Sequence, residues 1–115
     1  IAPKISQRIR ELFMQGKITV ILKEYEKSDL LNAFIVIIAT NNKDVNELAA
    51  KDSRELNILV NRADDREDCD FFFPAIISDE HIVGGIISKE GSNHNIVKEK
   101  AAEIRKFLNK GDLHV

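Results

Sequence analysis

The sequence holds one cysteine, Cys69, among 115 residues. A single thiol closes no internal disulfide and builds no cysteine-based zinc site. Such usage points to a reducing, cytoplasmic compartment. Long hydrophobic runs are also missing. The longest, Phe34-Ile35-Val36-Ile37-Ile38-Ala39, has six residues, against the ~20 that a bilayer span needs. No membrane partner is expected. Neither charge sign dominates: 17 Lys and Arg stand against 19 Asp and Glu, a net charge of −2. A dedicated nucleic-acid surface would need a basic excess, so no nucleic-acid partner is expected. The three His show no metal-ligand spacing, so no metal site is expected. There is no Gly-rich phosphate fingerprint; Gly84-Gly85 falls inside a strand-like segment, not between a strand and a helix. The initiator Met is absent, and Ile1-Ala2-Pro3-Lys4 leads into a polar helix pattern rather than a signal peptide. The chain is therefore expected to begin inside something longer.

What is present is ordinary for a globular protein. Apolar residues make up 43% and charged residues 31%. The length is that of one domain, able to bury roughly two-thirds of its unfolded surface. Ile5, Ile9, Leu12 and Phe13 fall on one helical face, and Gly16 is a natural stop. Ile18 to Leu22 is β-branched and short, which predicts a strand. Ser28-Asp29 opens a short helical turn. Phe34 to Thr40 reads as a strand buried on both faces, as in a helix-covered parallel sheet. Thr40-Asn41-Asn42 then caps a helix with Val45, Leu48 and Ala49 inward. Ile58 to Val60 predicts the next strand.

Strands alternating with helices argue for a parallel α/β sheet. After Asn61 the pattern changes. Arg62 to Asp70 reads as a charged loop with five acidic residues. Phe71 to Ser78 and Ile82 to Ser88 predict a hairpin around Asp79-Glu80-His81. Gly84-Gly85 within it implies a close approach or a bulge. A last helix over 96–108 places Val97, Ala101, Ile104 and Leu108 on one stripe. The division expected is 1–62 and 63–115. A hairpin with one helix makes a poor core alone, and Phe71-Phe72-Phe73 must expose at least one ring, which marks a contact surface.

In open α/β sheets, ligands sit at the carboxyl ends of the strands. Here those ends are Thr40-Asn41-Asn42 and Asn61-Arg62-Ala63-Asp64-Asp65. Asp64 follows a buried strand directly and stands between Arg62 and Arg66. Such a carboxylate can act as a general base or as a cation ligand. The alternative reading of these residues is plain turn and cap chemistry. Cys69 lacks a local His partner and reads as a small packed residue.

Three strings carry a resemblance: Val36-Ile37-Ile38-Ala39-Thr40-Asn41-Asn42 with Val45-Asn46; Leu59-Val60-Asn61-Arg62-Ala63-Asp64-Asp65; and Cys69-Asp70-Phe71 with Phe73-Pro74-Ala75. From Ile1 to about Leu108 the chain resembles the siroheme synthase N-terminal module, the precorrin-2 dehydrogenase/sirohydrochlorin ferrochelatase family. The resemblance implies a Rossmann-like NAD-binding domain followed by a dimerisation hairpin and a C-terminal helix. It implies oxidation of precorrin-2 to sirohydrochlorin with NAD⁺, and in some members insertion of Fe²⁺, with a tetrapyrrole substrate and a homodimeric assembly.

Carried onto this sequence, it makes Asp64 the catalytic residue. Pro3, Lys4, Ala39, Thr40, Asn41 and Asn61 fall on cofactor-contacting positions. Ser88 and Ser92 fall in the loop facing the tetrapyrrole, and Arg62 becomes a cation for its carboxylates. The family's first strand, Gly-rich turn, helix and second strand are expected upstream of Ile1. Lys89-Glu90 stands where the family usually has glycines. A different reading is a non-catalytic, truncated Rossmann-like module acting in dimerisation or in tetrapyrrole or partner binding.

Overall fold

The computed structural model describes residues 1–89, 91 and 93–109. The chain is a mixed α/β protein that divides into two compact units, Ile1–Asp68 and Cys69–Val115. The division falls after Asp68 because the acidic residues that follow the second strand pair back onto it through Arg62.

In the first unit, helix α1 spans Gln7–Met14, with the Ser6 hydroxyl accepting from the Ile9 N–H at 3.3 Å. Gly16 ends it in the left-handed region at φ 71°. A 3-10 turn follows over Lys27–Leu30. Strand β1 is Ile35–Ile38, helix α2 is Lys43–Glu55 and strand β2 is Leu59–Arg62. The strands pair in parallel, with Val36 opposite Val60 and Ile38 opposite Arg62. The strand–helix–strand order and the parallel pairing are those read from the alternation.

Helix α2 is well delimited chemically. The Asn42 side chain accepts from the Asp44 and Val45 N–H groups at 3.1 and 3.2 Å. Asp44 in the first turn and Arg54 in the last suit the helix dipole. Asn57 ends the segment at φ 58°, a left-handed conformation that Asn tolerates.

Three expectations are corrected. Ile18 to Leu22 forms no strand; only Leu22 makes a single parallel bridge to Ala2, and the chain bends at Pro3 and Lys4. β1 is not buried on both faces: Ile38 is buried, whereas Ile35 and Ile37 are 46% and 56% exposed. Leu48 lies half-exposed rather than inward. The inward stripe of α2 is Asn46, Ala49, Ala50 and Ser53, at helical i, i+3, i+4 and i+7 spacing. Small side chains let the helix settle closely on the sheet, and the apolar pattern alone pointed about one position off. The core is Ile38, Ala49, Ala50 and Val60, flanked by Tyr25 and Val36. Buried polar groups in it are satisfied: the Ser53 hydroxyl donates to the Ala49 carbonyl at 2.6 Å, and the Tyr25 hydroxyl donates to Asp52 at 2.7 Å.

The second unit is a hairpin and a helix. Strands β3 (Ala75–Ser78) and β4 (Val83–Ile86) pair antiparallel, Ala75 opposite Ile86. They are shorter than the segments read from sequence. The turn is held by Asp79, whose carboxylate accepts from the N–H groups of His81 and Ile82 at 2.7 and 2.9 Å. A Cβ at Gly85 would stand 2.9 Å from Pro74, the close approach its sequence implied. Helix α3 covers His94–Asn109 and buries Ala101, with Val97, Ile104 and Leu108 half-buried on the same stripe. Arg105 ties the helix to the hairpin, donating to the Ile76 carbonyl at 2.6 Å.

Candidate functional site

β1 and β2 end side by side. The Ala63 N–H donates to the Ile38 carbonyl at 2.9 Å, so Thr40-Asn41 and Asp64 emerge from adjacent strand ends. That is where an open α/β sheet places its ligands.

Two clefts open there. The first, of about 740 Å³, is lined by Pro3, Lys4, Val36, Ala39, Thr40, Asn41 and Val45, with Leu30 and Ala33 beside them. The second, of about 440 Å³, is lined by Thr40, Asn41, Lys43, Asn46, Arg62, Asp64 and Asp65. Thr40 and Asn41 belong to both. Five positions read as cofactor-contacting, Pro3, Lys4, Ala39, Thr40 and Asn41, line the larger cleft. Asn61 stands apart from them, buried in β2 opposite Ile37.

The larger cleft is lined mostly by apolar residues with a few polar ones among them, and its volume is within the range of cofactor sites. That donor set fits a ring and ribose of a nicotinamide dinucleotide. Apolar Val36, Ala39 and Val45 can face a ring, while Lys4, Tyr25, Asp29, Thr40 and Asn41 carry the polar groups.

Asp64 sits in the smaller cleft with its side chain 30% exposed. Arg62 grips it with two parallel hydrogen bonds, Nε to Oδ1 at 3.0 Å and Nη2 to Oδ2 at 2.9 Å. The third arm of the guanidinium, Nη1, reaches Asp68 at 2.8 Å. Asp68 is tied in turn to Arg54, whose Nη2 donates to its carbonyl at 3.2 Å. The Arg62 guanidinium, followed by the hydrogen-bonding Asn46 amide, holds the Asp64 carboxyl down to about 2. Asp64 is therefore an anion throughout the physiological range.

Arg62 corrects the sequence reading. It was expected as a cation open to substrate carboxylates at the start of a charged loop. Instead it is the last residue of β2, 4% exposed, with its donors directed at Asp64 and Asp68. A guanidinium taken out of water needs such partners. Its role in the site is to hold Asp64.

Asn46 is the residue that sequence reasoning left without a role. It is 1% exposed. Its Oδ1 accepts from the Thr40 hydroxyl at 2.5 Å and its Nδ2 donates to the Thr40 carbonyl at 3.0 Å, and it lines the same cleft as Asp64. The available signal was a polar residue on the inward stripe of α2, four residues past the Asn42 cap.

Of the residues read as facing substrate in the second unit, Ser88 accepts from the Asn93 N–H at 3.1 Å and so shapes its own loop. Ser92 lies outside the described residues. Cys69 is half-buried and in no disulfide.

The parallel strands, with a dinucleotide-sized cleft and a carboxylate at their carboxyl ends, define a Rossmann-like nucleotide-binding unit. The family described as putative NAD(P)-binding matches residues 1–75. The chain belongs to that family and, within it, to the siroheme synthase N-terminal module. It is 40% identical over 107 residues, 93% of its length, to the probable multifunctional siroheme biosynthesis protein HemA of Ruminiclostridium josui, and covers 21% of that protein. A siroheme synthase of Psychrobacter sp. (strain PRwf-1) is 40% identical over 88 residues, 76% of this chain and 18% of the relative. Among solved structures, SirC, a precorrin-2 dehydrogenase, superposes with a TM-score of 0.77 at 27% identity, over 92% of this chain and 51% of that one. The chain thus spans about a fifth of these curated relatives, 21% and 18%, and about half of SirC, 51%. Among the described residues, no helix is long and apolar enough to cross a membrane.

Proposed function

We propose that the site serves NAD-dependent oxidation of precorrin-2 to sirohydrochlorin, with Asp64 as the catalytic carboxylate. The observation that carries this reading is the meeting of the two clefts at Thr40 and Asn41. One cleft suits a nicotinamide cofactor and the other holds an ionised carboxylate.

Pro3, Lys4, Ala39, Thr40 and Asn41 would hold NAD⁺, which would supply the hydride acceptor. The protein supplies place and charge. As the tetrapyrrole gives up hydride, positive charge grows on its ring carbon and the conjugated nitrogen. An anion held beside it favours that charge. Once the cation has formed, the neighbouring proton is acidic, and even a weak base such as Asp64 can take it. The macrocycle loses one hydride and one proton in all. A carboxylate kept ionised by Arg62 thus suits a step in which charge development precedes proton loss. Lys43, exposed at the rim of the Asp64 cleft, is a cation within reach of a substrate bearing many carboxylates.

In the second unit, Phe73 is 59% exposed, and the 71–88 hairpin is the proposed surface for homodimer formation. Sedimentation tests this: a dimer is expected, and a monomer at high protein concentration contradicts it.

The test of function is anaerobic mixing of the full-length protein with precorrin-2 and NAD⁺, followed by the absorbance of sirohydrochlorin. Product that needs both NAD⁺ and protein supports the reading, and no product overturns it. Adding Fe²⁺ to the same mixture tests the family's chelation step, with loss of the sirohydrochlorin spectrum to siroheme as its readout.

A further inference from the structure

Asp68 lies off the Asp64 cleft, and the proton and hydride chemistry above does not use it. Arg62 lines the Asp64 cleft and also a further cleft of about 530 Å³, which it shares with Arg54 and Asp68. All four residues belong to the first unit. A guanidinium can grip a carboxylate with two parallel bonds either side-on, through Nε and Nη2, or end-on, through Nη1 and Nη2. Arg62 is side-on to Asp64, with Nε to Oδ1 at 3.0 Å and Nη2 to Oδ2 at 2.9 Å. The end-on grip would turn Nη1 to Asp64 and seat the carboxylate differently. Asp68 Oδ2 accepts from Nη1 at 2.8 Å and so excludes it. Asp65 stands 4.0 Å from the same nitrogen, too far for a hydrogen bond.

Asp68 is itself held. The 3-10 turn Arg66–Asp68 follows β2 and brings the side chain back to Arg62. Arg54, on α2, pairs with Oδ1 through Nη1 and donates Nη2 to the Asp68 carbonyl at 3.2 Å. Arg54 also offsets the Asp68 charge, so Asp68 can hold Arg62 without leaving Asp64 short of a cation. We infer that Asp68 is a positioning residue, which fixes the Arg62 guanidinium side-on and thereby sets the orientation of the Asp64 carboxylate. The inference rests on the catalytic role proposed for Asp64.

The test is a double-substitution cycle on the full-length protein. One readout is turnover of precorrin-2 with NAD⁺, and the other is nitrogen-15 NMR of the Arg62 side chain. In the unsubstituted protein the Arg62 Nη hydrogens should give separate signals, because both edges of the guanidinium are held. Asp68→Ala should merge them. It should lower kcat by about tenfold while KM for precorrin-2 stays within about twofold. In an Asp64→Asn background the same substitution should change kcat by less than about twofold, since no catalytic carboxylate is left to misplace. A merely structural loss would lower turnover equally in both backgrounds. If Asp68→Ala does not fold, Arg54→Gln, at a partly exposed position of α2, decides; it should move both readouts in the same direction by less. Unchanged Arg62 signals, full kcat, or an equal loss in both backgrounds overturns the inference. Full turnover in Asp64→Asn alone overturns the role of the carboxylate itself. That result comes from a different variant and is separable.

Discussion

Arg62, the last residue of β2, lies buried against Asp64, two residues further on, with both carboxylate oxygens bonded at 3.0 and 2.9 Å. The pair turns the end of a strand into a fixed anionic site. The same guanidinium binds Asp68 at 2.8 Å, so one buried cation gathers the acidic segment that follows the strand.

Arg62→Lys tests that geometry. A lysine keeps the charge but makes no planar two-point contact. The Asp64 titration midpoint should rise toward the ordinary carboxylate value, and the melting temperature should fall. Arg62→Leu should lower it further, since Asp64 then loses its cation and Asp68 keeps only Arg54. Unchanged melting in Arg62→Leu would contradict the account.

Acid stability follows from the carboxylates. Lys23 and the Glu26 N–H depress Asp29, Lys27 depresses Glu55, and the His81 and Ile82 N–H groups depress Asp79. Asp64 is lowered to about 2. A carboxyl whose folded value is lowered binds its proton more readily in the unfolded chain. Its contribution is present above the unfolded value, about 4, and is lost as pH falls through the folded one. Denaturant midpoints should therefore hold from pH 7 to about 5 and drop steeply between pH 4 and about 2. Asp64→Asn should flatten the lowest part of that drop. On the alkaline side, burial and the Asp52 partner raise Tyr25, so its contribution is present below its unfolded value of about 10 and lost as pH rises further.

The hairpin gives a steric prediction. A Cβ at Gly85 meets Pro74 at 2.9 Å, while one at Gly84 meets the flexible Ile77 side chain at 3.3 Å. Gly85→Ala should cost about 1–3 kcal/mol, and Gly84→Ala less. Equal midpoints for the two variants in denaturant unfolding would contradict this packing.

The core gives another. Ile38 is 4% exposed within the cluster of Ala49, Ala50 and Val60. Ile38→Ala should cost about 2–5 kcal/mol. Ile37→Ala on the open face, where Ile37 is 56% exposed, should cost much less. Chemical denaturation of the two variants checks the difference.

The α/β order, the parallel pairing and the hairpin with its final helix were legible because apolar period and turn residues report local structure directly. The Ile18–Leu22 segment misled because β-branched composition signals strand propensity, whereas a ladder also needs a partner, and only Ala2 pairs with it. Leu48 misled because small and polar residues, Asn46 and Ser53, take the inward face of α2. In the site, the polar strand ends are where the two clefts open, and Asp64 stood out by its position after a strand. Arg62 read as a surface cation because charge in a run of charges suggests solvent. Its burial depends on Asp64 and Asp68 folding back around it, which no local pattern encodes. Asn46 stayed silent because its side-chain partner, Thr40, lies at the end of the preceding strand, six residues back.

The most direct test of the account is the rate of NAD⁺-dependent sirohydrochlorin formation by Asp64→Asn beside the unsubstituted full-length protein, under anaerobic conditions. The substitution keeps shape and removes the anion. The account predicts a rate lower by about 10²–10⁴-fold in a variant that still melts cooperatively and still binds NAD⁺. Equal rates in the two proteins would contradict it.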